Sequence, residues 1–307
     1  MTAFEPVPLI LGPTGVGKTS AAFQLALRLG DAEIVSADAR AIYRGMDVGT
    51  DKPSDELRRR VPHHLVDIKD PDEPYSAMQF REDALRVLDD CQSRRVRAIV
   101  AGGSTLHADA LLGKLFEGPS KDRELRERLR DQPLPDLYER LREVDPESAE
   151  RLHPNDRQRI VRALEVHELT GEPISVHQQR TPGPPYEFLR IALTADREVL
   201  YERVNRRVDQ MIEDGLLEEA RKLLPHVPVG SQAYKSNGYR EMFDYIRGEI
   251  ESLDEAIRLM KRHTRGHARR QLKYFRRDSD IHWIDTTDRD AEVIADEVLA
   301  LLESPAP

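Results

Sequence analysis

The sequence predicts an α/β fold, a parallel sheet core flanked by helices and interrupted by an all-helical insertion. Three observations lead there. Short apolar runs alternate with helix-patterned stretches through the N-terminal third. A long, charged, helix-patterned segment with few β-branched runs follows. A further apolar run then returns, with more helix and one last short strand behind it. Strand and helix in alternation are the rhythm of a parallel sheet.

Pro8-Leu9-Ile10-Leu11 reads as a buried strand, ended by Gly12-Pro13. Ser20–Leu29 carries Ala22, Leu25, Ala26 and Leu29 at helical spacing and stops at Gly30, a good C-cap. Ala32–Ala37 is a second strand, ending at Asp38. Ala77–Arg94 is helical, and Val96–Ala101 is a third strand that closes on Gly102-Gly103. The texture changes near Leu115, and Lys121–Thr170 is helix-patterned and charged. Thr181-Pro182-Gly183-Pro184-Pro185 breaks the chain before Leu189–Leu193, a returning strand. Helical patterns run on through Arg277, and Trp283-Ile284 reads as a last short strand. The expected division is therefore a core over 1–115, a helical insertion over 116–185, and a return to the core over 186–307, with no internal repeat.

Composition narrows the class. The chain has 307 residues, 34% charged and 39% hydrophobic, enough for a soluble protein with a core of its own. Collagen-like, low-complexity and disulfide-stapled chains are excluded. Cys91 is alone, so neither an internal disulfide nor a cysteine zinc site can form, which fits a reducing compartment. No apolar stretch approaches the ~18 residues of a membrane span. No Lys or Arg precedes Lys18, so a secretory signal is not expected and a cytoplasmic protein is. The net charge of -9 conceals a segregation. Nine Lys/Arg and no acid lie between Ala256 and Arg277, leaving 38 Lys/Arg against 56 Asp/Glu elsewhere. A field separated in this way points to a polyanionic partner more strongly than the net charge points away from one.

Gly12-Pro13-Thr14-Gly15-Val16-Gly17-Lys18-Thr19 matches G-x-x-x-x-G-K-[ST] between a predicted strand and a predicted helix. Glycines there let backbone N–H groups face a phosphate, and the helix N-terminus adds its positive end. Lys18 is placed to neutralise phosphate oxygens, and Thr19 to hold Mg²⁺ through its hydroxyl. The motif makes the core P-loop NTPase-like and calls for a di- or triphosphate without saying which. The acid that orients water in hydrolysing P-loop enzymes is missing: Val96–Ala101 runs into Gly102-Gly103-Ser104. Asp38 is instead the acid at a strand end, facing the phosphate site at the carboxyl edge of a parallel sheet. That position suits a base that deprotonates a bound nucleophile; a capping acid in a surface turn is the plainer alternative.

Taken together these segments resemble the tRNA dimethylallyltransferase (tRNA isopentenyltransferase) family. The resemblance rests on Gly12–Thr19, Asp38, Tyr43-Arg44-Gly45-Met46-Asp47-Val48-Gly49-Thr50-Asp51-Lys52-Pro53, Pro62-His63-His64-Leu65-Val66-Asp67, Tyr75-Ser76 and Gly102-Gly103-Ser104. His153-Pro154-Asn155-Asp156, Gln158–Glu165, Gly238-Tyr239-Arg240-Glu241 and Thr264-Arg265 with Arg269-Arg270-Gln271-Leu272 extend it, so it covers about Leu9 to Ile284. The family transfers a dimethylallyl group from its diphosphate to N6 of the adenosine 3′ of the anticodon in tRNA. The resemblance implies that the loop grips dimethylallyl diphosphate, with Asp38 as general base, Thr19 as a Mg²⁺ or diphosphate ligand, and Ser104 near the reacting amine. Arg207, or Arg203 one turn before it, would reach the leaving diphosphate. RNA contact is implied at Asp38, Ala39, Arg40, Ala41 and Ser104, along Gln158-Arg159-Ile160-Val161-Arg162, and at Lys235, Tyr239 and Arg240.

The sequence departs from the family pattern Asp-Ser-x-Gln-x-Tyr, reading Asp38-Ala39-Arg40-Ala41-Ile42-Tyr43, and has His107 where Tyr is usual. The base survives, and the contacts that hold the nucleotide change. Arg40 is expected to compensate through a phosphate contact.

On a helical projection Arg258, Arg262, Arg265, Arg269, Lys273 and Arg276 form one stripe, with Arg270 beside it. Ile257, Met260, Ala268 and Phe275 lie opposite, so this helix can pack on the core and present cations to RNA phosphates. His63-His64 is not read as a metal site, because neighbours on a strand point to opposite faces. His263 and His267, spaced i, i+4, lack an obvious third ligand. Three competing readings remain: an adenylate isopentenyltransferase acting on AMP, ADP or ATP, a small-molecule kinase, and a non-catalytic RNA-binding protein. The insertion and the basic helix favour tRNA, and the intact Lys18, Thr19 and Asp38 favour catalysis. A monomer that binds the anticodon stem-loop, with no membrane partner, is expected.

Overall fold

Val7–Leu11 (β1) lies at the centre of a parallel sheet, and its Leu9, Ile10 and Leu11 are at most 2% exposed. Such strands are covered on both faces, which is why this run is apolar without alternation. The computed structural model describes residues 6–304 except 117, 120, 121, 181 and 182. The N-terminal Met1–Glu5, Lys121, and the Thr181-Pro182 start of the predicted break lie outside the described residues.

Lys18–Leu29 (α1), Ala32–Ser36 (β2), Asp55–Arg60 (α2), His63–His64 (β3), Ala77–Arg94 (α3), Arg97–Ala101 (β4) and Thr105–Leu111 (α4) follow β1. Arg123–Arg130 (α5), Leu134–Val144 (α6), Pro146–Arg151 (α7), Arg157–Thr170 (α8) and Ile174–Gln179 (α9) come next. The chain returns through Phe188–Thr194 (β5), Arg197–Glu213 (α10) and Leu216–Leu223 (α11). It ends with Tyr239–Ile246 (α12), Leu253–Phe275 (α13), His282–Asp285 (β6) and Ala291–Glu303 (α14). The strand order is β3-β2-β4-β1-β5-β6, and every pairing is parallel. All strands therefore end on one edge, and β1, β2 and β4 deliver Gly12, Asp38 and Gly102 there.

Helix α1 starts directly after Gly17, at φ 96°, two residues before the predicted start. The phosphate loop thus feeds the helix with no spacer. Its face of Ala22, Leu25 and Ala26 packs with Ile294, Ala295 and Val298 of α14 on one side of the sheet. Ser76 begins α3 with a capping box, accepting from Gln79 N–H while Gln79 returns a side-chain bond to Ser76 N–H.

Cys91 is buried near the end of α3, with its Sγ 3.5 Å from Glu33 Oε2. Burial, and then the neighbouring carboxylate, push the thiol up to about 11. Arg94 grips both oxygens of Glu33 at 2.8 and 2.7 Å, and His64 Nε2 lies 2.7 Å from one of them. Glu33, His64 and Cys91 converge like metal ligands, yet the guanidinium already supplies the cation. His63 points to the other face of the strand, as adjacent residues must.

Chain contacts divide the protein into two compact units, Met1–Ala108 with Pro185–Pro307, and Asp109–Pro184. The second unit packs Leu125, Leu129, Leu137, Leu141, Ile160, Val161 and Leu164 into its own core. Ile160 and Val161 are at most 3% exposed. Their expected RNA contact is thus corrected: they are on the inward face of α8, while Gln158 and Arg159 are exposed. Asp145 caps α7 and also binds the Ser175 N–H and hydroxyl, tying α9 to it.

Glu165, fully buried on α8, accepts from Arg126 Nε and Nη2, from Arg162 Nη1 and from Asp122 N–H. Burial alone would raise its carboxyl, but these bonds outweigh burial and hold it below the usual range. Arg162, expected on RNA, is engaged in this network and with Pro119 O. Glu165→Ala leaves two cations without their partner and should cost about 3–5 kcal/mol in urea unfolding followed by circular dichroism. Because the carboxyl is depressed, the network's contribution is present above the unfolded carboxylate range and lost on acidification. The gap between wild type and Glu165→Ala should accordingly close at low pH.

Candidate active site

The carboxyl edge of the sheet encloses a cavity of about 310 Å³, lined within the first unit by Thr14, Lys18, Thr19, Asp38, Gly103 and Arg207 among others. The phosphate loop builds one wall. Gly12, at φ 145°, has no room for a Cβ, which would lie 2.7 Å from Leu193 O. Lys18 donates to Pro13 O at 2.8 Å. Burial pulls the Lys18 ammonium down to about 8, against the opposing pull of Asp38, while Arg207 pushes the same way as burial.

Asp38 is held by its own loop. Its Oδ1 accepts from Arg40 N–H at 2.7 Å and Ala41 N–H at 3.2 Å, and Oδ2 has no hydrogen-bond partner among the described residues. Ala41 is buried beneath it, and its N–H does the orienting. The Arg40 side chain lines the cavity and donates to Gln232 O at 2.8 Å.

Helix α10 places Arg203 and Arg207 differently. Arg203 binds Thr286 Oγ1, Thr286 O and Thr287 O, so it braces the end of β6. Arg207 lines the cavity, donating to Thr14 Oγ1 at 3.2 Å and Thr50 O at 3.3 Å, and pairing with Asp51 at 3.2 Å. Thr19, Asp38 and Asp51 bring hard oxygen donors to the same cavity, the ligand class that Mg²⁺ takes.

Several predicted residues sit elsewhere. Ser104 is not in the cavity wall; its hydroxyl accepts from His107 N–H at 3.3 Å at the start of α4. His107 is 4% exposed and stacks on Phe80 with centroids 4.1 Å apart. Burial lowers its pKa to about 4. The ring at this position therefore serves packing. Tyr239 is fully buried, its hydroxyl bonding Glu219 and Gly49 N–H, which corrects its expected RNA contact. Arg240 pairs with Glu241 and contacts His263. Lys235 is exposed at the cavity mouth beside Asn237.

Sequence reasoning missed Gln271. This buried side chain on α13 accepts from Thr14 N–H at 3.0 Å and donates to Gly103 O at 2.7 Å. A Cβ on Gly103 would meet its Nε2 at 2.5 Å, so a side chain there would displace the Gln271 amide from this bridge. Also missed was His63, whose Nδ1 donates to Val61 O at 2.7 Å and which lines the cavity. The only signal for either was its place in a family-matched block.

Along α13 the cations are not equivalent. Arg258 pairs with Glu255, Lys261 with Asp209, and Arg265 with Asn205 and the Tyr201 ring. Arg269, Arg270, Lys273 and Arg276 are exposed, with no acidic partner among the described residues.

A Lys18 that titrates near 8 must gain a proton when an anion arrives beside it. At pH 8.5 binding of a diphosphate monoester should take up protons, seen as a calorimetric enthalpy that changes with the buffer's ionisation enthalpy. At pH 6.5, where Lys18 is protonated in both states, this uptake should vanish, and Lys18→Met should abolish it at pH 8.5.

The model of the IPP transferase family matches residues 41–278. The chain is 49% identical over 284 residues to a tRNA dimethylallyltransferase of Geobacter metallireducens, covering 90% of this chain and 91% of that one. It is 42% identical to the one of Thermotoga maritima, with 96% and 97% covered. The crystal structure of the full-length tRNA isopentenylpyrophosphate transferase from Bacillus halodurans superposes with TM-score 0.72 at 38% identity, covering 98% and 97%. A eukaryotic dimethylallyltransferase acting on tRNA superposes with TM-score 0.79 at 26% identity, covering 93% of this chain and 75% of that one. On that identity and coverage, the chain belongs to the IPP transferase family, that of the tRNA dimethylallyltransferases.

Proposed function

We propose that the protein transfers the dimethylallyl group of dimethylallyl diphosphate to N6 of the adenosine 3′ of the anticodon in tRNA. The observation that carries this is one cavity in which Lys18 and Arg207 stand beside the phosphate loop and Asp38 faces them. The C1–O bond of the allylic diphosphate breaks, and its electrons leave with the diphosphate. The N6 lone pair forms the new C–N bond, and the amine proton passes to the Asp38 carboxylate. Lys18, Arg207 and loop N–H groups stabilise the departing charge, a role worth ~3–4 kcal/mol per donor in comparable sites. Mg²⁺, held through Thr19, would add further charge neutralisation on the diphosphate. A paired adenosine cannot reach this depth, so the base must be unstacked, which an anticodon loop permits. A monomer working in the cytoplasm is part of the same reading; no helix among the described residues is long and apolar enough to cross a membrane.

The test is incubation with labelled dimethylallyl diphosphate, Mg²⁺ and unmodified tRNA without ATP, with AMP as parallel acceptor. Label in tRNA alone is expected. Label in AMP alone would move the protein to free nucleotides, and no label in either would reopen phosphoryl transfer. Asp38→Asn should lower kcat about 10²–10⁴-fold while tRNA affinity stays within a few-fold.

The open cations of α13 are the proposed seat of the tRNA backbone. Arg269→Ala and Lys273→Ala should each lower the slope of log K against log salt by about 1. Arg258→Ala, already paired with Glu255, should leave the slope unchanged in the same filter-binding series.

A further inference from the structure

Helix α13 turns Met260, Thr264, His267 and Gln271 to the cavity, spaced four, three and four residues apart on one face. Two of these have evident duties. Met260 packs against Gly238, and Gln271 bridges two strand ends. His263, one turn before His267, is committed to Glu241 at 2.7 Å. His267 makes no hydrogen bond among the described residues, although it forms part of the cavity wall. The charges that reach it are those of Arg270 on its own helix, and of Asp38, Lys18 and Arg40 across the cavity.

Burial first, and then Arg270, lower the His267 pKa. An imidazolium there would stand against three cations. The ring is therefore neutral at physiological pH and offers one N–H donor and one bare nitrogen. Adenine presents its amine next to ring-nitrogen acceptors, a donor beside an acceptor. Single Asn or Gln side chains read that pattern in a bidentate way. Here an acceptor, Asp38, and a donor lie in the same cavity wall.

We propose that His267 is a specificity-determining residue that donates its imidazole N–H to a ring nitrogen flanking the acceptor amine. The proposal rests on the adenosine-prenylation reading above. With N6–H on Asp38 and a ring nitrogen on His267, the base is fixed in its plane. The amine lone pair is then aimed at the allylic carbon.

Two ring nitrogens qualify, N1 and N7, and the experiment separates them. Synthetic anticodon stem-loops carry adenosine, 1-deazaadenosine or 7-deazaadenosine at the target position. Each is prenylated with labelled dimethylallyl diphosphate by the unsubstituted protein, by His267→Phe and by His267→Ala, and kcat/KM is measured. One analogue should lower kcat/KM of the unsubstituted protein about 5–150-fold, the range for a good base contact. His267→Phe, which keeps a ring but no donor, should lose a similar factor on adenosine and nothing further on that analogue. The change in amine reactivity caused by the missing nitrogen is common to all three proteins and cancels in the cycle. His267→Ala guards against an effect of ring volume and should behave as His267→Phe does. Losses that multiply, or an unsubstituted protein indifferent to both analogues, would overturn the inference alone. No transfer by the unsubstituted protein to the adenosine stem-loop would overturn the prenylation reading itself.

Discussion

Gln271 reaches from the inner face of α13 to two strand ends at once, and the geometry of the site depends on that bridge. Glycine-rich turns at the carboxyl edge are the loosest backbone in a parallel sheet, because no ladder continues beyond them. The Gln271 amide supplies an acceptor to Thr14 N–H and a donor to Gly103 O. Both groups would otherwise need solvent partners in a buried place. Once the two turns are fixed, Lys18 and Asp38 are fixed with them. A helix that carries charge outward thereby holds the glycine-rich loop on its inner side.

The core was legible because its signals are local. The strand ahead of Gly12 and the helix behind Thr19 follow from contiguous residues, as does Asp38 at the end of β2. Ala77–Arg94 matches its prediction to the residue, because Ser76 and Gln79 mark its start and Arg94 its end. What the sequence could not show is which side of a helix turns inward when both sides carry candidate residues. Gln158-Arg159-Ile160-Val161-Arg162 is a contiguous block, yet α8 points two of its members into a core and one into an ion network. Tyr239 failed as an RNA contact for the same reason: its hydroxyl closes a network with Glu219 that lies 20 residues earlier. The terminal helix α14 went unread because packing against α1, more than pattern, defines it.

Charge segregation was read correctly from composition and refined by structure. Arg258, Lys261 and Arg265 spend their charge on neighbours, while the exposed cations without an acidic partner among the described residues, Arg262 apart, gather in the second half of α13 and at its end. An RNA backbone laid along the helix would therefore meet an attractive field over about two turns. Those turns also carry His267 and Gln271 on their inner side, so the end of the helix with the open cations also lines the cavity. On the proposed function, steering and chemistry would share one rigid element, and long-range attraction would deliver the substrate near its target base.

The burial of Cys91 has a practical corollary. A thiol held near 11 is almost wholly protonated at neutral pH, with about one part in ten thousand as reactive thiolate. The side chain is also closed to reagents. The protein is thus a ready-made silent background for site-directed spectroscopy. A cysteine introduced at an exposed position, such as Leu106 at 54% exposure, would take a maleimide dye or spin label with no prior removal of native thiols.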